Sequence, residues 1–314
     1  MKDKNLFLSV IVPCFNEQEV IEYTHNRLAT ILSKVNMKYE IIYVSDGSSD
    51  ETNDLLAKIY LNNNSGTVKT VLLSRNFGHQ IAVTAGIDNA EGDAVILIDA
   101  DLQDPPEYIP EMIEKWKEGY QVVYCQRNKR EGESKFKLLT AKYFYKTLGY
   151  LSDVEIPVDT GDFRLMDRKV VDAIKSMPER DRFIRGMVSW IGFKQYALQY
   201  DREERYAGES KYPFWKMVKF AVDGILSFSI KPLRLSTLLG FISSLLSFSG
   251  IAYAFIMWVT GVPVRGWTLM FIAIMFFSGV QLISLGVIGE YIGRIHAETK
   301  NRPLYIINEK NGFK

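Results

Sequence analysis

Three aspartates crowd into six positions directly after an apolar run. Residues 96–107 read ILIDADLQDPPE, so Asp99 and Asp101 are two positions apart and Gln103 continues the same spacing. Side chains alternate along an extended chain, so these three side chains share one face. Two carboxylates and an amide suit Mg²⁺ or Mn²⁺ that carries a phosphate. We therefore predict that Asp99, Asp101 and Gln103 hold a divalent cation.

The alternative for this stretch is an ordinary polar turn, because Asp and Pro are common turn residues. Asp104 falls outside the alternation and precedes Pro105 and Pro106. We expect Asp104 to shape the turn and to cap the helix that begins there. Whether the other carboxylates form a site depends on the elements around them.

The first 125 residues alternate β-rich runs with stretches of helical spacing. This pattern predicts an α/β, Rossmann-like domain with a mainly parallel sheet and helices on both faces. The predicted strands are residues 8–13, 39–44, 68–73, 94–98 and 121–125, and the predicted helices are 17–35, 50–61, 78–90 and 106–118. Asn16 with Glu19, and Ser48 with Glu51, have capping-box spacing, so we expect both pairs to mark helix starts.

Polar loops follow the first four predicted strands, at residues 13–17, 45–50, 74–79 and 99–104. In an open parallel sheet, ligands bind beyond the carboxyl ends of the strands. Four such loops therefore indicate a binding site at one edge of the sheet. The sequence has neither G-x-G-x-x-G after its first strand nor a P-loop, which excludes the dinucleotide and P-loop classes.

Two stretches near the C-terminus, residues 235–260 and 267–289, contain no Asp, Glu, Lys or Arg. As helices they are roughly 39 and 34 Å long, enough to cross a hydrocarbon core of about 30 Å. Only the short segment 261–266 separates them, so we predict a transmembrane hairpin. A buried pair of soluble helices is the alternative.

The basic residues around this hairpin predict its orientation. Lysine or arginine stands outside it at positions 231, 234, 294, 300 and 302, against Arg265 alone in its loop. The positive-inside rule then places both termini and the large domain in the cytosol, with the hairpin in the inner (cytoplasmic) membrane. Residues 6–13 are followed at once by polar residues and lack a cleavage site, so we predict no signal peptide.

Bulk composition excludes some functions and divides the chain. With 38 basic and 37 acidic residues the net charge is +1, which gives no reason to expect nucleic-acid binding. The two cysteines and three histidines lack zinc-site spacing. We expect a globular domain over residues 1–210, an amphipathic interfacial helix region over 211–234, the hairpin over 235–289 and a cytosolic tail over 290–314. A second amphipathic stretch, 135–148, could face the acceptor or simply be solvated.

Besides DADLQDPPE, the chain contains VIVPCFNE, DGSSD, TGDFRL and GESKY ahead of its two apolar stretches. Together these motifs resemble the polyprenyl-phosphate glycosyltransferases of the GT-A fold in family 2. The resemblance is closest to the bacterial bactoprenol (undecaprenyl-phosphate) glucosyltransferases. It implies metal-dependent, inverting transfer of a hexose, expected to be glucose, from a UDP-sugar to undecaprenyl phosphate at the membrane. It also implies a homo-oligomer, specifically a tetramer.

The resemblance further implies four groups of site residues. The nucleotide-sugar group is Pro13, Asn16, Glu17, Asp46, Gly47, Arg75 and Asp99. The metal group is Asp99, Asp101 and Gln103, and the catalytic group is Asp162 and Asp101. The group for the acceptor phosphate is Arg127, Arg205, Ser210 and Lys211. In one departure, Ser45–Asp46 stands where many relatives have two aspartates, so the uracil contact rests on Asp46.

Some alternatives stay open from the sequence. The second pKa of a phosphate monoester is about 6, so the acceptor is largely ionised at neutral pH and Asp162 could either abstract a proton or position the sugar. The sugar could be another one, such as mannose from GDP or a modified aminosugar. A non-catalytic membrane module that binds a nucleotide-sugar is a further reading. A processive polysaccharide synthase would need a Q-x-x-R-W motif, which the sequence lacks.

Overall fold

The computed structural model describes residues 6–63, 66–101, 103–127, 157, 160–201, 229–261 and 266–313. The chain forms two compact units. The first holds residues 1–146, 154–217 and 302–314, and the second holds residues 147–153 and 218–301. The chain therefore leaves the first unit for the second and returns to the first at its C-terminus.

The first unit begins with five strands that alternate with helices. The strands are β1 (Phe7–Cys14), β2 (Lys38–Ser45), β3 (Val68–Leu73), β4 (Ala94–Leu97) and β5 (Val122–Arg127). The helices are α1 (Ile21–Leu32), α2 (Thr52–Leu61), α3 (His79–Asn89) and α4 (Ile109–Lys117), the last preceded by a 3-10 turn at Pro106–Tyr108. The α/β prediction is confirmed, and each predicted strand lies within two residues of its expected bounds.

Three more strands complete the sheet. They are β6 (Thr160–Asp167), β7 (Gln195–Tyr200) and β8 (Ile307–Asn311), and helices α5 (Arg168–Ser176) and α6 (Ile184–Ile191) lie between β6 and β7. The described strands form one sheet in the order β7-β5-β6-β4-β1-β2-β3-β8. Only β6 and β8 run antiparallel to their neighbours in it. The carboxyl ends of β1 to β5 and β7 therefore meet the amino end of β6 at one edge, which we call the site edge.

The central strands are apolar along their whole length because helices cover both faces of the sheet. All four residues of β4 are buried, as are seven of the eight residues of β1. On one face, Val10 and Ile96 pack in a single cluster with Leu28 of α1 and Met112 of α4. This rigid core fixes the directions in which the strands deliver their loops to the site edge.

Helices α1 and α2 do not begin as the capping-box spacing predicts. Helix α1 starts at Ile21 and α2 at Thr52, and neither has a side-chain capping hydrogen bond. Asn16 instead has a left-handed backbone, with φ of 54°. Its backbone N–H donates to the Ser48 hydroxyl (3.1 Å), and its side-chain oxygen accepts from the Ser49 N–H (2.9 Å). Both capping-box predictions are wrong, because these side chains bond to the neighbouring loop.

The segment expected to be a cytosolic tail has two different parts. The second long apolar helix continues to Thr299, and residues 302–314 then belong to the first unit. Strand β8 pairs antiparallel with β3, and the Ser74 N–H donates to the Ile306 carbonyl (2.9 Å) just beyond the ladder. The Tyr305 hydroxyl also donates to Asp88 at the end of α3 (2.9 Å). The chain end is therefore an edge strand of the sheet and not a free tail.

The second unit contains two long helices, α7 (Lys231–Val259) and α8 (Trp267–Thr299). Both are long and apolar enough to cross a membrane, with candidate spans at Lys231–Val259 and Met270–Thr299 and neither span buried inside the protein. Large apolar side chains are exposed along both, among them Phe248, Trp258 and Ile283. This exposure disfavours the alternative of a buried soluble helix pair. The predicted interfacial stretch 211–228 and the stretch 135–148 lie outside the described residues.

Candidate active site

The loops after β1 and β2 are bonded to each other at the site edge. In addition to the bonds of Asn16, the Glu17 N–H donates to the Thr52 hydroxyl (2.9 Å). The Gln18 N–H donates to the carboxylate of Asp50 (3.2 Å). Pro13, near the end of β1, pairs with Val44 of β2. The predicted nucleotide-sugar residues of β1 thus lie directly beside the DGSSD loop.

Asp46 and Gly47 join the β2 loop to the loop after β3. Asp46 is buried, and its two oxygens accept the N–H groups of Phe77 (2.7 Å) and Gly78 (2.9 Å). Burial raises the pKa of Asp46, although these two N–H groups oppose the rise. Gly47 has φ of 65°, and a Cβ there would lie 2.2 Å from the Arg75 carbonyl carbon. Only glycine fits this close approach of two loops.

Arg75, on the same β3 loop, was also predicted to contact the nucleotide-sugar. Its guanidinium lies 4.2 Å from the centre of the Phe77 ring and donates to the Asn76 carbonyl (3.1 Å). The side chain is exposed. Arg75 therefore offers a cation at the site edge, next to the loop that Asp46 holds.

Asp162 lies at the centre of a network at the start of β6. Its Oδ1 accepts from Arg185 Nε of α6 (2.7 Å). Its Oδ2 is 2.9 Å from His79 Nε2 and 3.3 Å from Gln80 Nε2, both in the first turn of α3. Gln80 in turn accepts from the Ile184 N–H (2.9 Å), which ties α3 to α6. Arg164, two residues further along β6, is buried and donates to the Gly161 carbonyl (3.0 Å).

These contacts set the charges in the network. Burial alone would raise the pKa of Asp162, but the Arg185 guanidinium and the His79 ring lower it well below its usual range. Burial alone would lower the pKa of His79, but the nearby Asp99 charge and the hydrogen bond to Asp162 raise it to about 9. At neutral pH, Asp162 is therefore an anion and His79 a cation. An ionised carboxylate with such a low pKa is a poor general base.

Asp99 points one oxygen into the same cluster. Its Oδ1 is 3.6 Å from His79 Nε2, beyond hydrogen-bond distance, and this buried oxygen has no hydrogen-bond partner among the described residues. Burial and the charges of Asp162, Asp104 and Asp101 raise the pKa of Asp99 to about 7, against the opposing effect of His79. An unsatisfied oxygen among several carboxylates fits a divalent cation.

The other two predicted metal ligands are partly exposed. Asp101 accepts the Gln103 N–H on its Oδ1 (3.2 Å), so the two residues close a short turn after β4. Donor atoms of His79, Asp99 and Asp162 also lie within 4.8 Å of one another, and His79 could join such a metal-binding group only after losing its proton. Both sets share Asp99, the residue with the unsatisfied oxygen.

Asp104 does not cap a helix. It is buried and accepts a hydrogen bond from the Tyr200 hydroxyl at the end of β7, and the 3-10 turn at Pro106 begins without a side-chain cap. Arg127, the last residue of β5, donates through Nε to the same hydroxyl (3.2 Å). Arg127 therefore lies at the site edge, and its role in binding the acceptor phosphate stays a prediction. Arg205, Ser210 and Lys211, the other residues predicted to bind the acceptor phosphate, lie outside the described residues.

Three residues of the network have no role in the sequence-based prediction: His79, Gln80 and Arg185. The polar loop at residues 74–79, which follows β3, ends at His79 and is the available signal for His79 and the adjacent Gln80. Arg185 lies on α6, 23 positions along the chain from its partner Asp162 on β6. No local pattern could pair the two.

Comparisons with known proteins identify the family of the chain. The family model described as glycosyl transferase family 2 matches residues 9–175, a range that contains Asp46, Asp99 and Asp162. The model described as the GtrB C-terminal hairpin matches residues 231–295. The chain belongs to glycosyltransferase family 2. As a member of that family it is a glycosyltransferase, and its α/β domain is a GT-A fold followed by two apolar helices.

Relatives within family 2 match almost the whole chain. An uncharacterised glycosyltransferase of Synechocystis sp. is 50% identical over 307 residues, covering 98% of this chain and 96% of its own. The uncharacterised glycosyltransferase YkcC of Bacillus subtilis is 50% identical over 314 residues, which cover 99% of this chain and 96% of YkcC. The SfII prophage-derived bactoprenol glucosyl transferase of Shigella flexneri is 43% identical over 305 residues, covering 97% and 98%. The similarity therefore includes both the GT-A domain and the helices.

Proposed function

We propose that this protein transfers glucose from UDP-glucose to undecaprenyl phosphate at the cytosolic face of the membrane. One observation carries the proposal: a family 2 domain and two apolar helices of membrane-spanning length occur in a single chain. A relative matched along 98% of its own length is named a bactoprenol glucosyl transferase. Such helices suit an enzyme whose acceptor lies in the bilayer.

The donor occupies the half of the site edge formed by β1 to β4. Asp46 retains acceptor capacity because each carboxylate oxygen can accept more than one hydrogen bond, and the imide N–H of uracil is a suitable donor. Pro13, Asn16, Glu17 and Gly47 line the same pair of loops, and Arg75 supplies a cation beside them.

The diphosphate lies at the end of β4. Asp99, Asp101 and Gln103 would hold Mg²⁺ or Mn²⁺ there, and the buried oxygen of Asp99 without a hydrogen-bond partner supports this assignment. When bound, the cation stabilises the charge that develops on the UDP leaving group. His79, at the first turn of α3, adds a protein cation next to Asp99.

Asp162 positions the sugar in this mechanism and does not abstract a proton. Arg185 and His79, which bond to its two oxygens, hold its pKa well below the usual range, so it is a weak base. The acceptor phosphate is largely ionised at neutral pH, since its second pKa is about 6, so its oxygen needs no general base. That oxygen attacks the anomeric carbon from the face opposite UDP as the bond to the UDP oxygen breaks, which inverts the anomeric centre.

The acceptor approaches from the side of β5 and β7. Arg127 at the end of β5 contacts its phosphate, and Arg205, Ser210 and Lys211 follow in the segment that leads to the membrane helices. Because residues 302–314 return to the GT-A domain, both ends of the α7–α8 hairpin lie on one side of the membrane. The excess of lysine and arginine at these ends favours the cytosolic side.

The test is transfer of label between phases. The detergent-purified full chain is incubated with Mn²⁺, undecaprenyl phosphate and UDP-glucose labelled with carbon-14. Label should move into the organic phase only when all three are present. GDP-mannose and UDP-N-acetylglucosamine serve as competing donors that test the choice of sugar.

Two variants complete this experiment. Asp101→Asn should abolish transfer together with Mn²⁺-dependent binding of UDP, because it removes a charged ligand of the cation. Asp172→Asn, which changes a surface carboxylate of α5 bonded to Arg168 (3.5 Å), should transfer normally. No label in the lipid from any of the donors would refute the proposed function.

A further inference from the structure

Tyr200 connects two parts of the site that the proposed mechanism treats separately. It is the last residue of β7, and its side chain is fully buried. Its hydroxyl donates to Asp104, which ends the DADLQD loop after β4, and accepts from Arg127 Nε (3.2 Å). One phenol thus bridges the loop that carries the metal ligands and the arginine at the end of β5.

The bridge has a fixed direction because a phenol has a single proton. That proton goes to the Asp104 carboxylate, so an oxygen lone pair remains for the N–H of Arg127. The Asp104 charge and burial both raise the pKa of Tyr200, which keeps the phenol protonated. Arg127 and Tyr200 are also register partners on neighbouring parallel strands, so their backbones are held together independently of the side chains.

The bridge lies directly beside Asp162. Gly161 precedes Asp162 on β6, and a Cβ at Gly161 would lie 3.4 Å from both Arg127 Nη2 and Asp104 Oδ2. The guanidinium and the carboxylate therefore both lie close to Gly161, the residue before the one that positions the sugar. An arginine offers five N–H donors in one plane, and fixing Nε fixes the direction of the others.

We propose that Tyr200, supported by Asp104, is a positioning residue that orients Arg127 toward the phosphate of the lipid acceptor. This inference rests on the proposed function. It assigns Asp104 to the acceptor half of the site, although its neighbours Asp99 and Asp101 serve the donor. The length of the DADLQD loop then sets the spacing between the two substrates.

Steady-state kinetics of Tyr200→Phe test this inference. The variant keeps the ring that packs edge-on against Phe163 and Tyr108 and removes only the hydroxyl. Loss of a hydrogen bond to a charged group corresponds to about a tenfold change in affinity. The KM for undecaprenyl phosphate should therefore rise about tenfold, whereas kcat and the KM for the nucleotide-sugar stay within about twofold.

Tyr43→Phe is the matched control. Tyr43 is also fully buried on a strand, and its hydroxyl lies 3.0 Å from His25 Nδ1 of α1. Helix α1 is remote in sequence from the residues proposed to bind the acceptor. If Tyr200 only supports the fold, both variants should behave alike. An equal rise of the acceptor KM in Tyr43→Phe would overturn the inference.

A double-mutant cycle separates action through Arg127 from a general effect. Arg127→Gln alone should raise the acceptor KM strongly. Adding Tyr200→Phe to it should change the KM no further, because the guanidinium that the Tyr200 hydroxyl orients is already absent. Independent, multiplying effects would overturn the inference while leaving the proposed function intact. Failure of the wild-type chain to use the lipid acceptor would overturn both.

Discussion

Asp162 receives hydrogen bonds from three side chains on two helices, and these partners restrict what it can do. Arg185 and His79 carry positive charge. The side chain of Gln80 is fixed because its oxygen accepts a hydrogen bond from the Ile184 N–H of α6. The sequence alone left a choice between a base and a positioning group. The partners favour positioning, since the charges of Arg185 and His79 hold the pKa of Asp162 well below its usual range.

We predict that Asp162→Asn loses activity by about a hundredfold or more at every pH, because it removes preorganised charge from the site. The measurement is kcat from pH 6.5 to 9.5. A positioning role predicts no recovery of activity toward high pH. A variant whose activity recovered toward high pH, as the acceptor or water loses its proton without help, would indicate a general base instead.

His79 should make stability depend on pH. Its pKa is raised from 6.5 to about 9, so its ion pair with Asp162 contributes fully below pH 6.5 and is lost as pH rises through about 9. The advantage of wild type over His79→Gln in thermal unfolding midpoint, measured in EDTA, should therefore shrink from pH 6.5 to pH 9.5.

His25→Gln supplies a control of opposite sign. Burial lowers the pKa of His25, so its neutral contact with Tyr43 stabilises at higher pH and weakens as pH falls. The advantage of wild type over this variant should grow as pH rises toward 6.5 and then stay constant up to pH 9.5. A difference between wild type and His79→Gln that stays constant over the range would contradict the ion pair.

Among the elements, the parallel strands were predictable and the loop contacts were not. Each strand is an apolar run bounded by polar residues, and burial on both faces makes that signal strong. Asn16 looks like a helix cap by spacing, but its side chain bonds to Ser49 of the next loop, 33 positions away. Local patterns cannot anticipate such a partner, and the same holds for Asp104 with Tyr200.

The contact between the β2 and β3 loops gives a prediction for Gly47→Ala. The new methyl group would meet the Arg75 backbone at 2.2 Å and would occupy a positive φ. A cost of about 3 kcal/mol or more is expected from strain and displacement, which lowers the unfolding midpoint by about 6 to 12 °C.

Gly66→Ala separates the two causes. Gly66 has nearly the same φ, 66°, but no atom of the described residues lies within 4 Å of its Cβ position. The unfolding midpoint of Gly66→Ala should fall by only about 2 to 4 °C, which is the effect of backbone conformation alone. Equal losses in the two variants would contradict a steric role for the loop contact.

Strand β8 is the element least visible in the sequence, because it is short, polar and separated from β3 by the whole hairpin. We predict that ending the chain at Asn301 lowers both the unfolding midpoint and the transfer activity, although every proposed site residue remains. The loss arises because the edge of β3 and the backbone N–H of Ser74, next to Arg75, lose their partners.

A chain that ends at Asn311 is the matched comparison, since it keeps the whole of β8 and loses the Phe313 ring that contacts Lys69 and Lys310. Its activity should be close to that of the full chain. If ending the chain at Asn301 left the unfolding midpoint unchanged, strand pairing at this edge would not contribute to stability.

At the scale of the whole molecule, the proposed topology can be tested with thiol reagents. Cys14 and Cys125 are buried, and burial raises the pKa of both thiols, so the native chain should react slowly. In intact cells, an impermeant maleimide should label Arg265→Cys in the hairpin loop. Asn308→Cys on β8 should be labelled only after the membrane is opened. The reverse pattern would place the GT-A domain outside.

The return of the chain to β3 has a consequence for biosynthesis. The sheet is interrupted in the sequence by the two apolar helices, so its last strand emerges from the ribosome only after both helices have been made. Until then β3 has an unpaired edge, which is a site for wrong pairing between chains. Completion of the sheet thus waits for synthesis of both helices, and a chain truncated within the hairpin carries an unfinished sheet.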